Sequence, residues 1–207
     1  MSGAEPFHLS ADGKHLEAVW IGPPPQAAPT LVLLHEGLGC VAMWKDFPQA
    51  LAAATGCGAL VYSRAGYGAS DPVTLPRPLT YMHHEALAVL PEVLDAAGIR
   101  RAVLVGHSDG GSIALIHAGA AADPRVAGLI LMAPHVFNEA VCVASIEAAR
   151  EAYQKANLRA GLAKYHGANV DVAFWGWNRA WLDPGFWYWN LEEYLAGVQV
   201  PVLLMQG

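Results

Sequence analysis

Five short runs of apolar residues recur along the chain, and none of them alternates apolar with polar side chains. Strands that are buried on both faces show this pattern, because a parallel sheet covered by helices on both sides exposes neither face to water. Segments with a helical pattern separate the runs, and such alternation is typical of an α/β fold with right-handed crossovers. The sequence therefore predicts a mostly parallel, twisted sheet flanked by helices. The runs are Thr30–Leu34, Ala59–Tyr62, Ala102–Val105, Val126–Met132 and Val200–Met205.

Other segments predict the elements around this sheet. Phe7–Ser10 and His15–Ile21 predict an antiparallel hairpin with Ala11-Asp12-Gly13 at its turn. Three stretches predict helices, the second of them kinked at Pro91 and ended by Gly98. They are Met43–Ala54, Leu79–Ala97 and Ser112–Ala122.

The last third of the chain breaks the alternation of strand and helix. Residues 138–199 have a mostly helical pattern and contain no strand-like run, which predicts an insertion over the carboxyl edge of the sheet. We therefore expect a core over residues 1–137, a helical lid over residues 138–199 and a further core strand over residues 200–207.

Composition excludes several classes of protein. The chain is 54% hydrophobic and 14% charged, which rules out intrinsic disorder, and no apolar run reaches the roughly 18 residues of a membrane span. The net charge is −6 and there is no basic run, so neither nucleic acid nor an acidic membrane surface is expected as a partner. The three cysteines are widely separated, which favours neither a disulfide framework nor a zinc ribbon. The first ten residues lack the pattern of a secretory signal, so the cytoplasm is the expected location.

The sharpest motif is the segment from Gly106 to Gly111, GHSDGG, which matches G-x-S-x-G around Ser108. The apolar run AVLV leads into it and a helical pattern follows it, which is the strand–turn–helix setting of a nucleophile elbow. Gly106 and Gly110 have no side chains, and a tight strand-to-helix turn requires positions without side chains because any would clash there. Such a turn presents a hydroxyl at the sheet edge, where a helix N-terminus favours a developing anion. The alternative is a glycine-rich turn with a serine that only caps the helix.

Two further segments occur at the ends of earlier strands. His35–Gly39, HEGLG, follows the strand LVLL, and Ser63–Ser70, SRAGYGAS, follows the next strand. With the G-x-S-x-G segment between strand and helix, the chain resembles the α/β-hydrolase superfamily over residues 6–207. That family has a His-Gly oxyanion loop at the first position and a D-x-R-G-x-G-x-S turn at the second. The departures are Glu36 in place of Gly, and Ser63 and Ala65 in place of Asp and Arg.

The resemblance implies roles for several residues. Ser108 is the implied nucleophile, and the backbone N–H groups of Asp109 and Gly37 are the implied oxyanion donors, with Leu38 as the next candidate for the second donor. We expect the side chain of Asp109 to cap the helix rather than to face the pocket.

The family order of the triad is Ser, then Asp or Glu, then His. The acid and the histidine are both expected beyond Gly207, together with the last strand and helix of the fold, so the sequence is interpreted as a C-terminally truncated hydrolase. His135 follows a strand at the catalytic edge and is a candidate pocket residue, while Asn138 and Glu139 are candidates for a displaced acid. His35 is expected to brace the oxyanion loop and His107 to pack beside it. The candidate pocket residues are His35, Leu38, His107, His135, Trp175, Trp177 and Trp181.

Aromatic residues are concentrated in the predicted lid. Five of the seven tryptophans lie between Trp175 and Trp189. A cluster of this kind above a catalytic edge suggests a pocket for an apolar or aromatic acyl group. Plain packing between lid and core is the alternative, and spacing alone does not separate the two.

The predicted function is therefore hydrolysis of a small carboxylic ester or similar acyl substrate through an acyl-enzyme. Alternatives are hydrolysis of carbon–carbon bonds in ring-cleavage products, acyl transfer, and a non-catalytic ligand-binding protein on the same scaffold. Dehalogenase and epoxide hydrolase activities are disfavoured, because those relatives use Asp where Ser108 stands. No G-x-G-x-x-G segment opens the first strand–helix unit and no metal-ligand spacing occurs, so neither a cofactor nor a metal is expected. The oligomeric state is left open.

Overall fold

The computed structural model describes residues 5–206, which form a seven-stranded sheet in the order β1-β2-β4-β3-β5-β6-β7. The first two strands pair antiparallel at one edge, and the other five run parallel to one another. This is the predicted α/β fold with a mostly parallel sheet. The strands are β1 Pro6–Ala11, β2 Lys14–Ile21, β3 Thr30–Leu34, β4 Gly58–Tyr62, β5 Ala102–His107, β6 Val126–Met132 and β7 Val202–Met205.

Helices cover the sheet and connect its strands. They are α1 Phe47–Thr55, α2 Tyr81–His84, α3 Leu90–Ala96, α4 Asp109–Ala120, α5 Ala140–Lys155, α6 Leu158–His166, α7 Val170–Trp181 and α8 Glu192–Leu195. Short 3₁₀ turns occupy Val41–Trp44, Gly167–Asn169 and Pro184–Tyr188, and a π-helical segment at Glu85–Val89 joins α2 to α3.

The central strands are buried on both faces, as the apolar runs predict. Val32 and Leu34 of β3 face the hydrophobic cluster that contains residues of α3 and α4. Leu31 and Leu33 of the same strand face a second cluster, which contains Ala52 of α1. The predicted N-terminal hairpin is also present.

One predicted helix is wrong in its extent. The stretch Met43–Ala54 contains a 3₁₀ turn and then α1, because Lys45 between them has a φ of 54° and cannot continue a right-handed helix. Pro48 lies in the first turn of α1, where its missing N–H costs nothing.

The helix predicted over Leu79–Ala97 changes type just before Pro91, where the sequence predicts a kink. Proline has no N–H to donate, and its ring clashes with the carbonyl four residues earlier in a regular helix. The wider π-helical turn of Glu85–Val89 lies immediately before this position and accommodates it. Gly98, with a φ of 63°, follows the end of α3 as predicted.

The carboxyl ends of β3, β4, β5 and β6 lie along one edge of the sheet, and the loops that follow them hold the sequence motifs. Helices α5 to α8 follow β6 and precede β7 in the chain. A division into a core and a lid at residues 138 and 199 stays a prediction.

Candidate active site

Ser108 lies at a strained turn between β5 and α4. Its φ of 51° and ψ of −117° are outside the regions that residues with a side chain favour, and the backbone N–H of Ser108 donates to the carbonyl of Met132 at 2.9 Å. Strain of this kind costs about 1–3 kcal/mol and persists only where the surroundings enforce it. The turn leaves the Ser108 side chain half-buried at the carboxyl edge of the sheet.

Close packing explains both glycines that flank the turn. A Cβ on Gly106 would overlap the backbone of Gly110, and a Cβ on Gly110 would overlap the carbonyl of Leu34. The first residues of α4 therefore lie directly against the end of β3. This contact brings the N-terminus of α4 next to the loop that begins at His35.

The first half of the loop His35–Gly39 is held by Arg64, which is fully buried. The Arg64 guanidinium donates to the carbonyls of His35, at 2.5 Å, and Glu36, at 3.1 Å. The His35 ring accepts the backbone N–H of Arg64 at Nε2, so Nδ1 carries the proton and donates to the Glu36 carbonyl at 2.7 Å. Burial, reinforced by the charge of Arg64, holds the pKa of His35 well below its ordinary value. His35 is thus a neutral brace of the loop, as expected, and it does not line the cavity beside Ser108.

The second half of the loop contacts helices α6 and α7. A Cβ on Gly37 would overlap the indole of Trp177 in α7, so the ring lies directly on this glycine. The carbonyl of Leu38 accepts a hydrogen bond at 2.9 Å from His166 of α6. Among the described residues, no acceptor takes the backbone N–H of Gly37, Leu38 or Asp109. Their role as oxyanion donors stays a prediction.

A cavity of about 280 Å³ opens beside Ser108 and is mostly apolar. An engineered cavity of 150 Å³ holds one benzene molecule, so this volume suits a modest apolar or aromatic group. Four of its lining residues, from α5, were not predicted. The lining residues are Ser108, Asp109, His135, Val141, Cys142, Ser145, Ile146, Trp177 and Trp181.

Other predicted pocket residues lie elsewhere. Leu38 packs into the cluster formed by α5, α6 and α7, and Trp175 packs on Phe174 under the guanidinium of Arg179. The Nδ1 atom of His107 lies 3.5 Å from the carboxylate of Glu36. Neither these residues nor the proposed displaced acids, Asn138 and Glu139, line the cavity.

His135 is the imidazole that reaches the candidate nucleophile. Its Nε2 lies 3.2 Å from Ser108 Oγ, and its Nδ1 lies 3.7 Å from Cys142 Sγ. The hydroxyl of Ser112 donates to the His135 carbonyl at 2.6 Å, and the ring packs edge-on against Trp181. Burial lowers the pKa of His135, although the charge of Asp109 opposes this shift. The structure thus has His135 at the cavity beside Ser108, and contact between His135 and a substrate stays a prediction.

The match of the chain to a known family decides its family. A model of the alpha/beta hydrolase family matches residues 31–204. The chain belongs to the α/β-hydrolase family.

Three individual proteins that resemble this chain are 20–32% identical to it. Epoxide hydrolase B of Mycobacterium tuberculosis is 32% identical over 124 residues, which cover 59% of this chain and 33% of that protein. The chain therefore spans about a third of the length of the curated relatives that it matches. Among solved structures, an esterase from Exiguobacterium antarcticum superposes with a TM-score of 0.72 at 20% identity, over 97% of this chain and 80% of that one. A hydrolase from Pseudomonas aeruginosa gives 0.69 at 22% identity, over 100% and 80%. At these identities the solved structures are evidence of the fold alone.

The departures from the α/β-hydrolase pattern have local explanations. Ser63 replaces the family Asp, and its hydroxyl donates to Glu17 at 2.7 Å and accepts the N–H of Val41 at 2.9 Å. Glu36 replaces the family Gly, and its carboxylate faces His107. Burial is the largest effect and would raise the pKa of Glu36, but the hydrogen bond from His107, a backbone hydrogen bond and the charges of His107 and Arg64 together lower the net pKa.

The prediction for the side chain of Asp109 is wrong. It does not cap α4, but lies fully buried, where one carboxylate oxygen accepts a hydrogen bond from the hydroxyl of Tyr81. The same hydroxyl accepts the indole N–H of Trp181 at 3.0 Å. The other oxygen of Asp109 has no partner among the described residues. No local sequence signal marks Tyr81, because its contacts lie 28 and 100 residues away in the chain.

Two further findings concern ligands and membranes. Within residues 5–206, no three His, Cys, Asp or Glu side chains cluster in a way that could hold a metal ion. No helix of that part of the chain is both long and apolar enough to cross a bilayer.

Proposed function

We propose that this α/β-hydrolase cleaves small carboxylic esters with an apolar or aromatic acyl group, through an acyl-enzyme on Ser108. The observation that carries the proposal is the position of Ser108, at the N-terminus of α4 and at the mouth of the apolar cavity. A serine that only capped the helix would use its side chain on the first turn, and Ser108 makes no such bond. Its hydroxyl instead contacts His135.

The proposed reaction has two steps. Ser108 Oγ adds to the ester carbonyl as its proton passes to a base, and the tetrahedral oxyanion accepts hydrogen bonds from the N–H groups of Asp109 and of Gly37 or Leu38. Collapse releases the alcohol, which takes up that proton, and leaves an acyl ester on Ser108. Water then hydrolyses this ester by the same route in reverse. The family pattern predicts a triad acid and a histidine that acts as this base, and that stays a prediction.

The cavity supports the choice of acyl group. Its walls are the indoles of Trp177 and Trp181 and the side chains of Val141, Cys142 and Ile146. Apolar walls of this size favour a short branched or single-ring acyl chain over a charged one. We therefore place the acyl group between α5 and α7 and the alcohol on the open side of Ser108.

A kinetic panel tests the proposal. Purified protein is assayed with p-nitrophenyl acetate, butyrate and phenylacetate, with styrene oxide, and with a vinylogous diketone of the ring-cleavage type. The epoxide is included because the curated relatives are named epoxide hydrolases. We expect ester turnover that Ser108→Ala abolishes without loss of secondary structure. Turnover of the epoxide alone, or ester turnover that survives in Ser108→Ala, would overturn the proposal. Binding without turnover of any substrate would favour the ligand-binding alternative, and turnover of the diketone alone would favour carbon–carbon bond cleavage.

A further inference from the structure

His166, the last residue of α6, connects this helix to two loops of the sheet. Its side chain is 2% exposed. Its Nδ1 lies 3.0 Å from the backbone nitrogen of Gly68, and its Nε2 lies 2.9 Å from the carbonyl oxygen of Leu38. Gly68 belongs to the turn after β4, and Leu38 to the loop after β3. A single ring thus joins three segments that are up to 128 residues apart.

The two partners define the protonation state of the ring. The Gly68 N–H is a donor, so Nδ1 must accept and carries no proton. The Leu38 carbonyl is an acceptor, so Nε2 must donate. His166 is therefore the neutral Nε2–H tautomer, and its burial lowers its pKa, which favours that neutral form.

This hydrogen bond completes the support of the loop His35–Gly39. Arg64 and the His35 ring hold the carbonyls at its start. Among the described residues, the side-chain hydrogen bond to the Leu38 carbonyl comes from His166. The N–H of Gly37 shares a peptide with the anchored carbonyl of Glu36. The N–H of Leu38 lies between that peptide and the anchored carbonyl of Leu38, so its direction depends on both anchors.

We propose that His166 is a positioning residue, which sets the oxyanion donors of the loop by holding the carbonyl of Leu38. The proposal rests on the function proposed above. Because His166 belongs to α6, this helix supports the Leu38 end of the loop, while Arg64 and His35 support its start. The Leu38 carbonyl belongs to the Leu38–Gly39 peptide, whose N–H donates to the carbonyl of Glu36 at 3.1 Å. Without the bond from His166, this peptide keeps only that anchor, and the neighbouring N–H of Leu38 is less firmly oriented towards an oxyanion.

Asn169 provides a matched control. It lies three residues further on, is nearly as buried, and its side-chain amide donates to the carbonyls of Gly68, at 3.2 Å, and Ser70, at 2.7 Å. It therefore joins the same helical segment to the same turn, but its recorded side-chain hydrogen bonds go to Gly68 and Ser70 and not to Leu38. Loss of seating alone affects both variants, whereas loss of the oxyanion donor affects only His166 variants.

The experiment compares four variants with the wild type: His166→Ala, His166→Gln, His166→Asn and Asn169→Ala. A Gln amide lies near the position of Nε2 and can donate to Leu38, whereas an Asn amide lies near Nδ1 and can only serve Gly68. The measurements are kcat and KM for the best p-nitrophenyl ester, the rate of Ser108 phosphonylation, and the thermal midpoint.

Loss of one oxyanion donor costs about 10²–10³ in kcat, so we expect a misplaced donor in His166→Ala and His166→Asn to lower kcat about ten- to a hundredfold, with KM within about twofold. His166→Gln should recover most of kcat, and Asn169→Ala should lower the thermal midpoint but keep kcat. Equal kcat for His166→Ala and Asn169→Ala would overturn the inference. If His166→Ala does not fold, equal kcat for the Gln and Asn variants would do so. A wild type that neither turns over esters nor reacts at Ser108 would overturn the proposed function as well. An active wild type with the equal kcat values named above would overturn only the role of His166.

Discussion

The hydroxyl of Tyr81 serves two buried groups at once, which makes Tyr81→Phe a sharp test of the interior beneath Ser108. The hydroxyl donates to the carboxylate of Asp109 and accepts the indole N–H of Trp181. Its removal leaves both groups buried without a partner, and each such group costs about 1–3 kcal/mol. We therefore expect the free energy of unfolding to fall by about 2–6 kcal/mol.

Tyr153→Phe is the matched control. The Tyr153 hydroxyl also donates to a carboxylate, that of Asp171, at 2.6 Å. However, the side chain of Asp171 is 50% exposed and keeps two hydrogen bonds from Arg159, so this loss should stay near the roughly 1 kcal/mol of an ordinary hydrogen bond. The assay is urea unfolding at pH 7 followed by far-UV circular dichroism, which a change near one tryptophan does not disturb. A loss in Tyr81→Phe below about 1 kcal/mol, or no larger than in Tyr153→Phe, would refute the reasoning.

Three further predictions follow from the site. His135→Ala should slow phosphonylation of Ser108 by less than about tenfold, the worth of one hydrogen bond, whereas a loss of about 10²–10⁴ would make His135 the general base. Burial keeps the pKa values of His35 and His166 low in the folded state, so only the unfolded chain takes up their protons as the pH falls below about 6.5. As the pH is lowered, the free energy of unfolding in urea should therefore fall by up to about 1.4 kcal/mol per pH unit for each histidine. It should fall less steeply in His166→Gln, and an equal slope in that variant would contradict this prediction. Val141 lines the cavity and is 67% exposed, so Val141→Trp should lower kcat/KM for the phenylacetyl ester relative to the acetyl ester by about tenfold or more. Ala144→Trp on the same helix is the control and should leave this ratio unchanged. The same ratio of the two kcat/KM values in both variants would exclude this location of the acyl pocket.

Sequence reasoning predicts the sheet and the turn at Ser108 because both depend on local patterns. Doubly buried parallel strands need continuous apolar runs, such as Thr30–Leu34. The close approach of α4 to β3 needs glycines at fixed positions, such as Gly106 and Gly110. The prediction of one helix, Met43–Ala54, was wrong at Lys45, where a positive φ interrupts a segment whose composition alone suits a helix.

The supports of the site were beyond sequence reasoning because they join distant segments. Tyr81 meets Asp109, and His166 meets Leu38, through single hydrogen bonds between residues with no pattern in common. The tryptophans of α7 show the same limit, since Trp177 lines the cavity while Trp175 packs on Phe174. Side chains two residues apart on a helix point in directions that differ by about 200°, but the sequence does not say which of the two faces the sheet.

The central claim is that Ser108 is the nucleophile, and labelling with a fluorophosphonate tests it most directly. The protein is treated with the probe, its intact mass is measured, and the adduct is located by peptide mapping, with Ser108→Ala as the control. We predict one adduct on Ser108 and none in the variant. A folded protein that takes no adduct, or takes one at another residue, would contradict the assignment.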